Sequence, residues 1–144
     1  MSLRPKIVID TSTLIGAILR PQSVPRLAFL NAVNTCDVCV SPVTLDELRE
    51  VLYRSKFDRY ISLQKRLEFL RLVSERSHVW QVDLSSETAA NNTCRDTKDA
   101  KFLALALSCQ ALALISSDAD LLVLNPWRGI PILTPASFLQ EKRP

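Results

Sequence analysis

Four acidic residues occupy equivalent positions in the pattern of apolar segments along this 144-residue chain. Asp10 directly follows the apolar segment 7–9, and Asp118 follows shortly after the apolar segment 112–115. Glu47 and Asp99 lie in the first turns of segments whose apolar residues recur at helical spacing. In a doubly wound parallel sheet, the carboxyl ends of the strands and the starts of the following helices lie at one edge. We therefore expect these four carboxylates to converge on one crevice.

Convergence of carboxylates has a chemical consequence. Carboxylates within a few ångströms repel each other, so at least one pKa rises unless a cation compensates the charge. Mg²⁺ and Mn²⁺ take oxygen ligands and typically share them with substrate phosphates, and such an ion activates an attacking water. The chain has one histidine, two glycines and no glycine-rich phosphate loop. This residue set favours metal-assisted hydrolysis of a phosphodiester.

Each of the four acids also has a purely structural interpretation. The Thr44-x-x-Glu47 spacing is typical of a capping box, in which Glu47 would only close the start of a helix. Asp99 suits the positive N-terminus of a helix, and Asp10 and Asp118 fit turns. One such role explains any single acid, but four acids at the same topological position favour a shared site.

Five further aspartates fall into two groups. Asp96 and Asp120 lie beside the cluster in sequence and are candidates for supporting positions. Asp46, Asp58 and Asp83 lack that placement, and we expect them at the solvated surface.

Strand and helix patterns alternate along the whole chain, which predicts one α/β domain over residues 1–144. Strands are predicted at residues 7–9, 38–40, 78–82, 112–115 and 130–133, of which 7–9 and 112–115 are expected to be buried and 78–82 alternates. Helices are predicted at residues 14–19, 26–33, 43–53, 61–76, 98–108, 119–124 and 135–141. Residues 84–95 are polar and predict a loop or a frayed helix. The alternation favours a mainly parallel sheet with helices on both faces.

Two details of the predicted helices can be tested. The hydroxyls of residues 11–13 are expected to cap the first helix. In helix 61–76, the predicted apolar stripe places Arg66 away from the core. The stripe consists of Leu63, Leu67, Leu70 and Val73.

Composition limits the other classes of protein. The net charge of +3 is compatible with an anionic partner. Cys36 and Cys39 form a C-x-x-C without a second pair, and i and i+3 point to opposite faces of a strand. We expect reduced cysteines there, in preference to a zinc site. No signal peptide is visible and the apolar stretch 102–115 is shorter than a membrane span, which favours a cytoplasmic protein.

Five segments around these acids resemble the PIN-domain family. Each is short and weak alone, but their order and spacing together are specific, and they cover nearly the whole chain. The last also resembles the branch of toxin components of toxin–antitoxin systems. The segments are residues 8–12 (VIDTS), 41–48 (SPVTLDEL), 99–106 (DAKFLALA), 115–121 (ISSDADL) and 130–139 (IPILTPASFL).

This resemblance implies a three-layer α/β/α sandwich and an endoribonuclease that depends on Mg²⁺ or Mn²⁺. It implies that Asp10, Glu47, Asp99 and Asp118 are the metal-binding acids. It also implies an RNA substrate, a homodimer and a protein antitoxin as partner.

The resemblance assigns supporting roles to residues beside these acids. Asp96 and Asp120 match acids often found near the metal-binding set. Ser12 stands where the family often has Asn, and Ser116 where it often has Thr. Both replacements keep a hydrogen-bonding group, so they leave the strength of the activity open.

The expected mechanism uses the acids to hold one or two ions, with Glu47 ligating through water or orienting it. Basic residues near the crevice are candidates for following the RNA backbone. They are Arg54, Lys56, Arg59, Arg95 and Lys98. Phe57 and Tyr60 are candidates for stacking a base.

Three alternatives remain open. A HAD-like phosphatase also begins with a strand and an acid, but it requires a second acid two residues later, where this chain has Ser12. A receiver domain requires an acid pair after the first strand, and only Asp10 is there. A non-catalytic scaffold that binds RNA or an antitoxin would present helix 61–76 as a partner surface.

Overall fold

A five-stranded parallel sheet forms the centre of the structure, a computed structural model that describes residues 3–94 and 96–141. The strands are β1 (Lys6–Ile9), β2 (Asp37–Val40), β3 (His78–Val79), β4 (Ala113–Ile115) and β5 (Ile132–Leu133). Their order across the sheet is β3-β2-β1-β4-β5, and each neighbouring pair is parallel. The prediction of a parallel α/β sheet is confirmed.

Helices cover both faces of this sheet, as the α/β/α sandwich requires. They are α1 (Thr11–Leu19), α2 (Val24–Thr35), α3 (Pro42–Leu52), α4 (Leu63–Arg76), α5 (Leu84–Thr93), α6 (Thr97–Ser108), α7 (Ala119–Leu122) and α8 (Pro135–Gln140), with a short 3-10 helix at Ser55–Phe57. Strand β1 shows the two faces. Ile7 and Ile9 belong to a core with α1, α2, α4 and α8, whereas Val8 packs into a second core with α5 and α6. A strand buried on both faces needs no polar alternation, which explains its continuous apolar run.

The register of the central strands determines where the site lies. Ile9 of β1 pairs with Ile115 of β4, so the two strands end side by side. The backbone N–H of Asp10 donates to the carbonyl of Ile115 at 3.0 Å. Because β1 lies between β2 and β4, this edge is the topological switch point, where ligands bind in open α/β sheets.

The structure corrects three predicted segments. Helix α1 begins at Thr11, and its cap is Asp10, whose side chain accepts from the N–H of Thr13. The hydroxyls of residues 11–13 are therefore not the cap. Residues 84–93 form the regular helix α5, because Asp83 caps it and Ala90 is buried. Strand β3 covers only residues 78–79 of the predicted strand 78–82.

The prediction for helix α4 was wrong at Arg66, which is completely buried. Its Nη1 donates to the carbonyl of Leu52 at 2.7 Å and to that of Arg54 at 2.9 Å, and its Nη2 pairs with Asp58. Asp58 is therefore an ion-pair partner as well as a surface acid. The connection between α3 and α4 leaves backbone carbonyls without helical donors, and the guanidinium supplies those donors. Leu63, by contrast, is 40% exposed and lies outside the core.

The cysteines of the C-x-x-C pattern lie in the interior of the fold. Cys36 and Cys39 are both buried and free, and the Cys39 thiol donates to the carbonyl of Asp37. The prediction of reduced core cysteines is confirmed.

None of the helices in the described part of the chain combines the length and the hydropathy needed to cross a bilayer.

Candidate active site

A groove of about 640 Å³ opens at the carboxyl edge of β1 and β4. The structure places all four predicted acids on its wall. Asp10 follows β1, Glu47 lies on α3, Asp99 is in the first turn of α6, and Asp118 caps α7. Residues that are distant in sequence therefore meet at one surface, as the sheet topology predicts.

Asp10 is the most deeply placed acid of the groove, with 3% of its surface exposed. Its carboxylate accepts from the Ser116 hydroxyl at 2.6 Å, from the Thr13 N–H at 3.0 Å and from the Ser12 hydroxyl at 3.2 Å. Burial raises its pKa, and these hydrogen bonds oppose the rise by stabilising the charged form. The donors thus hold one carboxylate in a fixed orientation.

Ser116 connects two of the acids. It is completely buried at the end of β4. Its hydroxyl donates to Asp10 and accepts from the backbone N–H of Asp118 at 2.9 Å. The Asp118 carboxylate in turn accepts from the N–H of Asp120 at 2.9 Å. One hydroxyl therefore links the two acids that follow neighbouring strands.

Asp99 carries the clearest electrostatic signature of the cluster. Burial is the largest cause that raises its pKa from 3.8 to about 6, and the nearby charges of Asp118, Asp96 and Asp120 add to it. A carboxyl with this pKa is half protonated close to neutral pH. The groove therefore concentrates negative charge that the folded chain does not fully neutralise.

The thiol of Cys94 is affected by the negative charge of the same acids. Burial, and then the charges of Asp99, Asp96, Asp120 and Asp118, raise its pKa. Asp96 and Asp120 therefore lie near the cluster, where the sequence predicted them. Asp96 also caps α6, because its side chain accepts from the N–H of Lys98.

Glu47 does not close the capping box of α3. Ser41 and Thr44 form that box reciprocally, and Glu47 points into the groove instead. Its Oε1 accepts from the Thr11 hydroxyl at 2.5 Å, and its Oε2 pairs with the Lys101 ammonium at 2.5 Å. The structural interpretation of Glu47 as a capping residue was therefore wrong.

The predicted basic residues separate into two sets. Arg54, Lys56 and Lys98 line the groove, and Arg54 also pairs with Glu50 at 3.6 Å. Arg59 is not among the lining residues and stacks over Tyr60. Of the remaining candidates, Phe57 lines the groove and is 9% exposed, Tyr60 is 67% exposed outside it, and Arg95 falls outside the described residues.

Sequence reasoning missed two of the lining residues that carry polar chemistry, Thr11 and Lys101. Thr11 was interpreted as a capping hydroxyl. A signal for Lys101 was present, since Lys98 and Lys101 are three residues apart and face the same side of a helix. Asp46 and Glu50 also line the groove, so Asp46 is an exposed acid at its rim.

The donor set of the groove fits a hard divalent cation. Its acids offer only oxygen ligands, and the raised pKa of Asp99 shows charge that a cation would compensate. Within residues 3–94 and 96–141, no three His, Cys, Asp or Glu side chains are close enough to form a complete ligand set as they stand. Binding an ion therefore requires side-chain adjustment around the groove.

The family model for the PIN domain matches residues 6–120. The chain belongs to the PIN domain family. An uncharacterized protein of Methanocaldococcus jannaschii is 28% identical to this PIN domain over 148 aligned positions, which cover 96% of this chain and 92% of that protein.

Two solved structures are similar to this PIN domain in fold. VapBC2 of Rickettsia felis, bound to a DNA fragment from its promoter, aligns with a TM-score of 0.66 at 13% identity, over 90% of this chain and 98% of that one. VapC20 of Mycobacterium tuberculosis, a toxin that cleaves the sarcin-ricin loop, aligns with a TM-score of 0.57 at 14% identity, over 87% and 98% of the chains. At these identities the likeness shows a shared fold.

Proposed function

We propose that this PIN domain is a metal-dependent endoribonuclease that hydrolyses RNA phosphodiester bonds. The observation that carries the proposal is the placement of Asp10, Asp99 and Asp118 on one groove, where burial and mutual repulsion raise the pKa of Asp99 to about 6. A site that concentrates oxygen ligands and unneutralised charge is suited to a divalent cation.

Asp10, Asp99 and Asp118 would hold Mg²⁺ or Mn²⁺. When bound, such an ion polarises a phosphoryl oxygen and lowers the pKa of an attacking water. Ser116 and the Thr13 N–H keep the Asp10 carboxylate oriented towards the groove. Glu47, which lines the groove from helix α3, would orient the attacking water with its carboxylate.

The basic residues of the groove supply the contacts to the nucleic acid. Lys56 lines the groove from the 3-10 helix, and Lys98 lines it from α6. Ammonium groups in these positions bind backbone phosphates whatever the sequence of the RNA. They therefore provide affinity and leave base selection to other contacts.

The proposal extends to the biological setting. VapC20 is described as a toxin that cleaves the sarcin-ricin loop, and VapBC2 as a DNA-bound complex. Because this chain shares their fold, we propose that it is the toxin of a toxin–antitoxin pair, with a protein antitoxin as partner and a homodimer as its assembled form.

Cleavage of a mixed single-stranded RNA pool tests the enzymatic proposal. The purified protein is assayed with Mn²⁺ or Mg²⁺, with EDTA, and as the Asp10→Asn variant. Asp46→Asn is the matched control, because Asp46 is an exposed acid of the same groove that pairs with Arg49 across one turn. We expect EDTA and Asp10→Asn to abolish cleavage, and Asp46→Asn to retain it.

The same assay separates the alternatives. Binding of RNA without cleavage in either metal would favour the non-catalytic scaffold. Hydrolysis of a small phosphate monoester in place of RNA would overturn the endoribonuclease proposal.

A further inference from the structure

Glu47 is held by two residues that no expected mechanism used. The Thr11 hydroxyl donates to one carboxylate oxygen and the Lys101 ammonium to the other, each at 2.5 Å. The side chains of Lys101 and Glu47 are only 19% and 18% exposed. An ion pair that is this poorly exposed is weakly screened, so its geometry is better fixed than that of a surface pair.

The two holding residues lie on the same elements as the acids of the cluster. Thr11 follows Asp10 at the start of α1, and Lys101 follows Asp99 by two residues in α6. Glu47 on α3 is therefore fixed with respect to both carboxylates. The pair also brings a positive charge directly against Glu47, since the Lys101 ammonium contacts its carboxylate.

The other three acids of the cluster differ from Glu47 in their ion pairing. Within residues 3–94 and 96–141, no lysine or arginine forms an ion pair with Asp10, Asp99 or Asp118. Those three carboxylates are the part of the groove where a divalent cation meets uncompensated charge. A second cation beside Glu47 would face the Lys101 ammonium at close range.

We propose that Lys101 takes the place of a second metal ion, so that this site binds a single divalent cation. In this arrangement, Asp10, Asp99 and Asp118 hold the ion. Thr11 and Lys101 act as positioning residues that keep Glu47 out of the ligand set. The inference rests on the proposed metal-dependent function and specifies the number of ions that the site takes.

Calorimetric titration of the metal-stripped full chain with Mn²⁺ tests this inference. We expect one Mn²⁺ per chain for the wild type and for Lys101→Arg, which keeps the positive charge. We expect Lys101→Met to bind a second Mn²⁺, because the freed Glu47 carboxylate becomes a ligand. Lys98→Met is the matched control, since Lys98 lines the groove without pairing with Glu47, and it should keep one ion.

The double variant Lys101→Met with Glu47→Gln provides a second, independent measurement if Lys101→Met alone fails to fold, because it leaves neither partner of the ion pair as an unpaired charge. If Glu47 lies outside the ligand set, this double variant should keep one ion with an affinity within about three-fold of the wild type. Removing a ligand would instead weaken binding by about ten-fold or more.

The outcomes separate the inference from the function on which it rests. Two Mn²⁺ ions in the wild type would overturn the inference and leave a metal-dependent nuclease standing. One ion with unchanged affinity in a folded Lys101→Met, or a ten-fold loss of affinity in the double variant Lys101→Met with Glu47→Gln, would also overturn it. No Mn²⁺ binding by the folded wild type would overturn the proposed function itself.

Discussion

Replacement of Asp99 by Asn should stabilise the metal-free protein at neutral pH while it removes metal binding. Burial and the charges of Asp118 and Asp96 raise the pKa of Asp99 to about 6. The folded protein therefore retains this proton up to about pH 6, whereas the unfolded chain releases it near the ordinary value of 3.8. The stability of the wild type falls as the pH rises through that window, because ionisation is resisted only in the folded state.

The size of the effect follows from the two pKa values. A pKa of about 6 in place of 3.8 corresponds to about 3 kcal/mol of unfolding free energy once the group is fully ionised. Asn cannot ionise, so it avoids this cost. It also loses the attraction of a carboxylate to the start of α6, which is about 0.3–1 kcal/mol. The expected net gain is therefore about 2 kcal/mol above pH 7, and close to zero at pH 4.

Urea denaturation in EDTA at pH 4 and pH 8 measures this gain. The wild type and Asp99→Asn should be nearly equally stable at pH 4 and should diverge at pH 8. Asp46→Asn is the control, because this exposed acid should change the free energy of unfolding by less than about 0.5 kcal/mol at either pH. The reasoning is refuted if Asp99→Asn is no more stable at pH 8, or if it gains equally at both pH values.

Three further substitutions test separate parts of the structure. Arg66→Met should lower the free energy of unfolding by about 2–4 kcal/mol, because two carbonyls lose a buried donor; a loss below about 0.5 kcal/mol in urea would contradict this. Ser116→Ala removes a hydrogen bond that stabilises the ionised form of Asp10, so the pKa of Asp10 should rise further. Mn²⁺ affinity should then weaken more at pH 6 than at pH 8, and equal weakening would argue against it. Lys56→Ala should reduce RNA affinity and lower the slope of log affinity against log salt by about 1, and an unchanged slope would remove Lys56 from the phosphate contacts.

The fold was predictable because local and global signals agree along most of the chain. The β-branched run before Asp10 has no other stable placement than a strand buried on both faces, and β1 takes that position. Helix α5 was harder, since its outer face is polar and its regularity depends on the Asp83 cap and on packing against α6. Arg66 could not be predicted, because its burial depends on carbonyls that lie 12 and 14 residues earlier in the chain.

The same distinction applies to the groove. In a doubly wound sheet the carboxyl ends of the strands and the starts of the following helices share one edge. This rule predicted that the acids lie together, although no contact between them was known. The partners of Glu47 were inaccessible to such a rule, since Lys101 lies 54 residues away and meets it only through the packing of α6 beside α3. The sequence pattern also offered a local partner, the capping box, which Thr44 occupies instead.

The hydrogen bond from the Ser116 hydroxyl to Asp10 joins two residues that are 106 positions apart in the chain. A ribosome has therefore made the first strand long before it makes the residue that orients the first carboxylate. Until β4 has left the exit tunnel and paired with β1, the nascent chain has neither Ser116 nor Asp118 at its groove. Because domains fold as units once their distant segments are available, the proposed nuclease activity should appear only after synthesis of this chain is nearly complete. A cell that makes this protein would thus be spared cleavage by growing chains, and a chain truncated before β4 should be inert.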